Sequence, residues 1–420
     1  MELASRIERL RTGFARTFWV ANILELFERF AFYGSKAVLA VYLVEKVGLG
    51  PLGNTLVGLY GFAVFFLPIL AGTVVDRYGF KKSLAACFFI FSLGYFAVGL
   101  AGLSQAQALV ESVGRVPYVI GALMLTAIGG SLIKPCIVGT VARTTDAATK
   151  SLGYSIYYTL VNLGGALGPI LALQVREGLG IEYVLVMSAV VSLGNLVATL
   201  MFFDEPKGGT PAGERRTMGK VFADMVVVFR NFRFISFLVI FSGFWIMFWQ
   251  IFYSLPFYVR DVLHFGRFEI IETVDAWTII LITVPVTALM KKVRPIMAMT
   301  LGFAVASGSW LIIASTVSIP LTVAAIACYA VGEAMQAPRF YEYVADLAPP
   351  DQVGTFMGFA FLPVAIGALV AGPLSGWLVQ TYLKEGGNPG GMWVVCAVIG
   401  FVSTALMLVH DRFFHRRGVA

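Results

Sequence analysis

The sequence has few charged residues, few histidines and few cysteines, and each shortage excludes a class of protein. Charged residues make up 13% of the 420 residues, against about 25% in a soluble domain. The three histidines lie near span ends or in the tail and belong to no Ser/His/Asp or Cys/His pattern, and the four cysteines follow no metal-ligand spacing. A glycine-rich phosphate loop is also missing. We therefore expect a protein that is not an enzyme and that uses no metal or organic cofactor.

Apolar residues, in contrast, are abundant and occur in long runs. They make up 58% of the chain, and the mean hydropathy is +0.83. Roughly twelve runs reach the ~20 residues that a membrane-spanning helix needs. This pattern predicts an all-α integral membrane protein.

The basic residues predict how the chain is oriented in the membrane. Most of the 31 lysines and arginines fall in alternate connecting segments, beginning with the N-terminal one. By the positive-inside rule, these segments and both termini are cytoplasmic. The net charge of +7 then reflects membrane topology, so we expect a lipid bilayer and no nucleic acid as partner. Short loops favour a bacterial inner membrane, and we expect a monomer.

One long polar interruption divides the predicted spans into two sets of six. It predicts an N-terminal six-helix bundle at 1–203, a cytoplasmic linker with an amphipathic segment at 204–232, and a C-terminal six-helix bundle with a basic tail at 233–420. Paired six-helix halves are typical of secondary transporters, whose substrate site lies between the halves near the midplane.

Charged residues inside the predicted spans are costly and therefore mark candidate functional sites. Glu25, Glu28 and Arg29 lie on one side of the first span, at spacings of three and four residues. Lys134, in the fourth span, lies at a depth similar to that of Glu28, so the two can meet. The four charges sum to zero, which makes burial tolerable.

Glu333 is the candidate of the second half. It lies in the middle of the tenth predicted span, and no lysine or arginine occupies the middle of any C-terminal span. A carboxylate without a partner in an apolar cavity either keeps its proton or awaits a cation. We therefore expect Glu333 to carry a proton or to bind a substrate ammonium.

Two motifs resemble those of known transporters. Gly72-x-x-x-Asp76-Arg77-x-Gly79-x-Lys81-Lys82 resembles the signature loop of the major facilitator superfamily. Glu25-x-x-Glu28-Arg29-Phe30-x-x-Tyr33-Gly34 resembles the first-helix motif of proton-dependent oligopeptide transporters. Further family-like segments follow in order: Lys134-Pro135, Tyr157-Tyr158-x-x-Val161-Asn162-x-Gly164, Phe244-Trp245-x-x-Phe248-x-Gln250 and Gly332-Glu333-x-x-x-x-Pro338.

The resemblance implies a major facilitator fold of 12 transmembrane helices in two six-helix bundles, and symport of di- or tripeptides with protons. The proton gradient would replace a cofactor. It assigns proton coupling to Glu25, Glu28, Arg29, Lys134 and Glu333. It assigns substrate binding to Arg29, Tyr33, Lys134, Tyr158, Asn162, Trp249, Gln250 and Glu333. It assigns gating or structural roles to Lys36, Gly72, Asp76, Arg77, Gly79 and Pro338.

The sequence departs from the family pattern at the outer ends of two spans. Lys36 stands where an arginine is usual, and Trp249 stands where a glutamate is usual. The ion pair expected between these positions is therefore absent, and we expect Lys36 to reach Glu272 or Asp275 instead. The altered pocket keeps two alternatives open. One is a proton-coupled transporter or exporter of another amphipathic drug or metabolite, and the other is a non-transporting sensor on the same fold.

Overall fold

The structure, a computed structural model, describes residues 13–146, 149–206, 217–349 and 352–417, which form helices and no strand. In chain order the helices are α1 Arg16–Val41, α2 Pro51–Phe66, α3 Pro68–Tyr78, α4 Phe80–Leu100, α5 Gln107–Val113, α6 Arg115–Ser131, α7 Ile133–Thr144, α8 Lys150–Gly178, α9 Glu182–Phe202, α10 Met218–Arg230, α11 Phe232–Tyr253, α12 Leu255–Asp261, α13 Phe268–Met290, α14 Pro295–Ala314, α15 Ile319–Leu347, α16 Val353–Gly358, α17 Leu362–Leu378 and α18 Pro389–Arg417. Two π-helical segments, Tyr42–Lys46 and Val379–Glu385, follow α1 and α17.

The predicted membrane architecture is confirmed. Among the described residues, ten helices are long and apolar enough to cross a membrane, and the bent pair α2 and α3 makes an eleventh. The first helix, α1, has 26 residues, or about 39 Å at 1.5 Å per residue. Its charged residues distinguish it from the apolar spans, and it is not among these eleven.

Prolines interrupt several spans. A proline has no N–H to donate to the preceding turn, and its ring crowds the carbonyl four residues earlier. The chain breaks just before Pro68, between α2 and α3, where the two axes differ by 44°. Similar breaks precede Pro135, between α6 and α7, and Pro256, between α11 and α12. These breaks place side chains near the first turn of a new helix, deep within a span.

The chain forms two compact units. Unit 1 comprises Met1–Ser35 and Leu67–Met218, and unit 2 comprises Lys36–Phe66 and Gly219–Ala420. The contacts therefore divide the chain within α1 and again after α2, whereas the sequence predicts bundles that end at 203 and begin at 233. Residues 207–216 of the predicted linker lie outside the described residues. The predicted bundle boundaries stay a prediction.

Unit 1 is held together by close approaches at glycines. A Cβ added at Gly94 of α4 would lie 2.5 Å from Thr126 Oγ1 of α6, and one at Gly129 of α6 would lie 2.9 Å from Phe91 N. Helix α9 is joined to α1 by polar contacts, because Asn195 Nδ2 donates to Leu24 O at 3.1 Å. Small residues and interhelical hydrogen bonds of this kind are the usual means of packing membrane helices.

Unit 2 uses the same device together with aromatic packing. A Cβ added at Gly58 of α2 would lie 2.7 Å from Ala368 O of α17, and one at Gly302 of α14 would lie 2.5 Å from Gly332 O of α15. The rings of Trp310 and Trp393 stack with their centroids 4.9 Å apart. These contacts join α2 to α17, α14 to α15 and α14 to α18.

Candidate functional site

The predicted charged side of α1 is buried in unit 1. Glu25, Glu28 and Arg29 are 0%, 1% and 6% exposed. Arg29 donates to a Glu28 carboxylate oxygen, and its Nε lies 3.5 Å from Glu25 Oε1. The guanidinium also lies over the ring of Phe32, 4.9 Å from the centroid. The arginine is therefore paired with both carboxylates of its own helix.

Lys134 reaches this group from α7. Its Nζ lies 3.0 Å from Glu25 Oε1. The break that Pro135 imposes after Ser131 places Lys134 in the first turn of α7. The sequence paired Lys134 with Glu28 by depth, but the structure pairs it with Glu25, and Glu28 is bound by its neighbour Arg29.

Tyr157 of α8 completes the group, and sequence reasoning had missed it as a site residue. Lys134 Nζ donates to Tyr157 Oη at 2.8 Å, and Tyr157 Oη donates to Glu25 Oε1 at 3.4 Å. Its position in the sequence is a signal for this role. Tyr157 precedes Gly164 by two helical turns, so it lies on the same face of α8 as Gly164, which contacts α1. We call Glu25, Glu28, Arg29, Lys134 and Tyr157 the α1 cluster.

Glycines of α8 make room for the α1 cluster. A Cβ added at Gly164 would lie 2.5 Å from Arg29 Cβ and 3.0 Å from Leu26 O. One added at Gly168 would lie 2.9 Å from Phe30 O and 3.0 Å from Gly34 N. The backbones of α1 and α8 therefore touch along the charged stripe, and any larger residue would push the two helices apart.

Two carboxylate oxygens of the α1 cluster lack a hydrogen-bond partner among the described residues. They are Glu28 Oε1 and Glu25 Oε2. Two carboxylates, one guanidinium and one ammonium sum to zero charge, as the sequence predicted. The cluster is thus electrically balanced but has spare acceptors, which is an arrangement that can take up a proton at modest cost.

The other predicted lining residues of unit 1 lie at different exposures. Tyr158 is 49% exposed, whereas its neighbour Tyr157 is half-buried. Asn162 Nδ2 donates to Tyr158 O at 2.8 Å within α8. Tyr33 is half-buried, and its ring packs edge-on against Phe32 with centroids 5.4 Å apart. Their predicted role in substrate binding stays a prediction.

In unit 2, the predicted binding residues Trp249 and Gln250 of α11 are engaged in helix packing. Trp249 Nε1 donates to Val364 O at 3.2 Å. Gln250 is fully buried, and its Nε2 donates to Ala371 O at 3.3 Å while its Oε1 accepts from Ser254. The amide of Gln250 is therefore already satisfied by α11 and α17.

Glu333 of α15 has a basic neighbour, Lys36, that comes from the first half of the sequence. Its charge interacts with those of Asp275 and Lys36. Lys36 belongs to the last turns of α1, which pack within unit 2. The Lys36 Nζ lies over the rings of Phe252 and Trp249, 3.5 and 4.3 Å from their centroids. The two residues that depart from the motif, Lys36 and Trp249, therefore contact each other.

The signature loop is capped by a residue that the motif does not contain. Glu205 accepts hydrogen bonds from Phe80 N and Lys81 N, both at 2.7 Å, and so fills the N-terminus of α4. Gly79 has φ +84°, which requires glycine.

The remaining predicted structural residues have varied surroundings. Gly72 faces open space, because a Cβ added there meets nothing within 4 Å. Gly72 therefore makes no close helix contact on the side where its Cβ would lie. Arg77, in the last turn of α3, stacks over the ring of Tyr78. Pro338 lies inside α15.

Comparison with known proteins agrees with this architecture. The family model described as "Major Facilitator Superfamily" matches residues 21–362 and 273–418. The Multidrug resistance protein MdtH of Aeromonas salmonicida is 23% identical over 413 residues, 95% of each chain. The Dipeptide and tripeptide permease A of Erwinia pyrifoliae is 24% identical over 427 residues, 86% of this chain and 85% of that protein.

A solved structure shows the same fold. A POT family transporter in complex with 5-aminolevulinic acid superposes with a TM-score of 0.77 at 17% identity, covering 95% of this chain and 96% of that chain. The resemblance to proton-dependent oligopeptide transporters is thereby confirmed at the level of the fold. The chain is a multi-pass membrane protein, and it belongs to the Major Facilitator Superfamily.

Proposed function

We propose that this protein is a secondary transporter that moves di- or tripeptides, or small peptide-like zwitterions, together with protons. The observation that carries the proposal is the α1 cluster. It places two fully buried carboxylates next to one guanidinium and one ammonium, with two spare carboxylate oxygens. Burying such charges inside a membrane protein is energetically costly, and buried ionisable residues of this kind usually have a function.

Glu28 is the better candidate for the proton carrier of the α1 cluster. Glu25 is bound by Lys134, Arg29 and Tyr157 through one oxygen, whereas Glu28 has Arg29 as its hydrogen-bonding partner and keeps Oε1 unpartnered. Protonation of Glu28 releases Arg29 from one of its two carboxylates. The arginine can then attract the carboxylate of a substrate, and this links proton binding to substrate binding.

The proposed substrate follows from charge. Arg29 and Lys134 supply positive charge for a carboxylate, and Lys134 is 27% exposed at its side chain. Glu333 supplies negative charge for an ammonium and has an unpartnered Oε2. A small peptide carries one group of each kind, and a POT family transporter of the same fold is in complex with 5-aminolevulinic acid.

Reconstituted uptake tests the proposal. Proteoliposomes with an inward proton gradient should accumulate labelled di- and tripeptides above the outside concentration, and a protonophore should abolish the accumulation. Peptides with a blocked amine or a blocked carboxylate should compete poorly. Equal uptake of blocked and free peptides would contradict the proposed recognition of a zwitterion.

A second candidate is proton-coupled transport, or export, of another amphipathic molecule. The aromatic surroundings of Lys36 favour it, because Phe248, Trp249 and Phe252 offer apolar and cation–π contacts. A relative matched over 95% of the chain is a multidrug resistance protein. If lipophilic amines move under the gradient and peptides do not, this second function replaces the first.

We also propose a bacterial inner-membrane protein with both termini in the cytoplasm, acting as a monomer. The distribution of lysine and arginine supports the orientation. Single cysteines introduced at Lys220 and at Lys46 should react with a membrane-impermeant reagent from opposite sides, and labelling of both from one side would contradict it.

A further inference from the structure

A second buried group of ionisable side chains lies in unit 2, apart from the α1 cluster. Glu272 and Asp275 lie three residues apart on α13, so they share one face of the helix. They are 2% and 8% exposed. Lys36 of α1 interacts electrostatically with both of them and with Glu333 of α15. We call Lys36, Glu272, Asp275 and Glu333 the Lys36 cluster.

The carboxylates of the Lys36 cluster are poorly satisfied. Both oxygens of Glu272, Oδ1 of Asp275 and Oε2 of Glu333 have no hydrogen-bond partner among the described residues. The ammonium of Lys36 rests over three aromatic rings of α11, with Phe252 nearest at 3.5 Å from the centroid. Three carboxylates face one ammonium, so a fully ionised cluster would carry two negative charges.

Such an excess of buried negative charge must be neutralised. Among the described residues, Lys36 is the one cation whose charge acts on Glu272, Asp275 or Glu333. The neighbouring Glu269 on α13 is acidic, and Tyr329 on α15 donates to Phe244 O at 3.1 Å. Burial of uncompensated charge is strongly unfavourable. Protons or an external cation must therefore supply the missing charge.

The geometry favours protons over a metal ion. Among the described residues, no three acidic, histidine or cysteine side chains converge closely enough to hold a metal. The carboxylates of the Lys36 cluster lie on two helices, α13 and α15. Single protons can be held by carboxyl groups arranged in this way.

We propose that Glu272 and Asp275 form a second proton-exchanging site, in unit 2, with Lys36 as its countercharge. With two protons bound, the Lys36 cluster is neutral. Loss of one proton leaves one negative charge, which strengthens the attraction for Lys36. The inference rests on the proposed coupling to protons, and it adds a second place where a proton is bound, on a helix that the sequence motifs do not include.

The test measures protonated carboxyl groups directly. Infrared spectra of the purified full-length protein, reconstituted in lipid at neutral pH, report the carbonyl stretch of protonated carboxylic acids. Glu272→Gln and Asp275→Asn should each weaken this band, and the double variant should weaken it further. Lys36→Met should strengthen it, because the carboxylates then need an additional proton. Glu111→Gln, which removes an exposed carboxylate paired with Arg115, is the matched control and should leave the band unchanged.

Several results would overturn the inference. A double variant with the wild-type band shows that these groups are ionised. A band that disappears when sodium or an alkylammonium salt is added at constant pH shows that the site takes a cation other than a proton. If Glu272→Gln fails to fold, Asp275→Asn and Lys36→Met still test the inference, because the first should weaken the carbonyl band and the second should strengthen it.

The spectrum separates this inference from the proposed function. It needs no substrate, so a protein that fails to transport peptides can still show the predicted bands. Conversely, uphill peptide uptake with an unchanged band in the double variant would leave transport by the α1 cluster intact and remove the second site.

Discussion

Replacing Lys134 by methionine should destabilise the protein strongly, since it leaves Glu25 buried without its nearest cation. The ammonium and the carboxylate are 3.0 Å apart. At an effective dielectric constant of about 20, two unit charges at this distance attract by about 5.5 kcal/mol. The lysine side chain is 27% exposed and the glutamate is fully buried, so solvent screens part of this energy. We expect a loss of about 3 kcal/mol in the free energy of unfolding.

A double-variant cycle identifies the cause of that loss. Glu25→Gln combined with Lys134→Met again leaves a cluster of zero charge, so the double variant should lose at least about 1 kcal/mol less than the sum of the single losses. Denaturant titration in mixed micelles measures the free energies. The exposed pair Glu111–Arg115, 3.7 Å apart, is the matched control and should contribute less than about 1 kcal/mol.

The pH dependence of the stability difference between Lys134→Met and wild type gives a further test. At low pH the orphaned Glu25 in Lys134→Met can bind a proton, so the difference from wild type should shrink as the pH falls. A variant that stays within about 1 kcal/mol of wild type at neutral pH would refute the reasoning. Strict additivity in the cycle would refute it as well.

Two further predictions concern packing and capping. Gly164→Ala should destabilise the protein by about 1–3 kcal/mol in thermal unfolding, because its Cβ would lie 2.5 Å from Arg29 Cβ. The control Gly194→Ala should be neutral or stabilising, because a Cβ there meets nothing within 4 Å. Equal effects of the two substitutions would contradict the tight contact between α1 and α8. Glu205→Ala should lower the free energy of unfolding by about 1 kcal/mol, since it removes two hydrogen bonds to the N-terminus of α4. The control Asp204→Ala should change the free energy of unfolding by less than about 0.5 kcal/mol. An equal loss in Asp204→Ala would show that general surface charge, and not the cap, explains the effect.

The fold was largely predictable because the signals for it are local and repeated. Apolar runs, alternating basic segments and interruptions by proline can each be identified without knowing the neighbours of a helix. The charged stripe Glu25-x-x-Glu28-Arg29 was predictable for the same reason, since helical spacing fixes which residues of one helix share a face.

The contacts between helices were harder to predict. Rise per residue gives the depth of a side chain but not the rotation of a helix about its axis. Depth therefore predicted that Lys134 could meet Glu28, whereas the rotations of α1, α7 and α8 bring Lys134 to Glu25 and to Tyr157. Lys36 lies near Glu333 because the end of α1 packs within unit 2. Residue spacing within the second half of the sequence could not predict that packing.

Transport by Glu28→Gln tests proton exchange at the α1 cluster most directly. The variant should lose gradient-driven accumulation of a labelled peptide in proteoliposomes and keep counterflow exchange, because Arg29 remains and the carrier can still bind and reorient without moving a proton. Lys134→Met should impair both processes. Undiminished uphill uptake by Glu28→Gln would contradict the role of this carboxylate as the proton carrier.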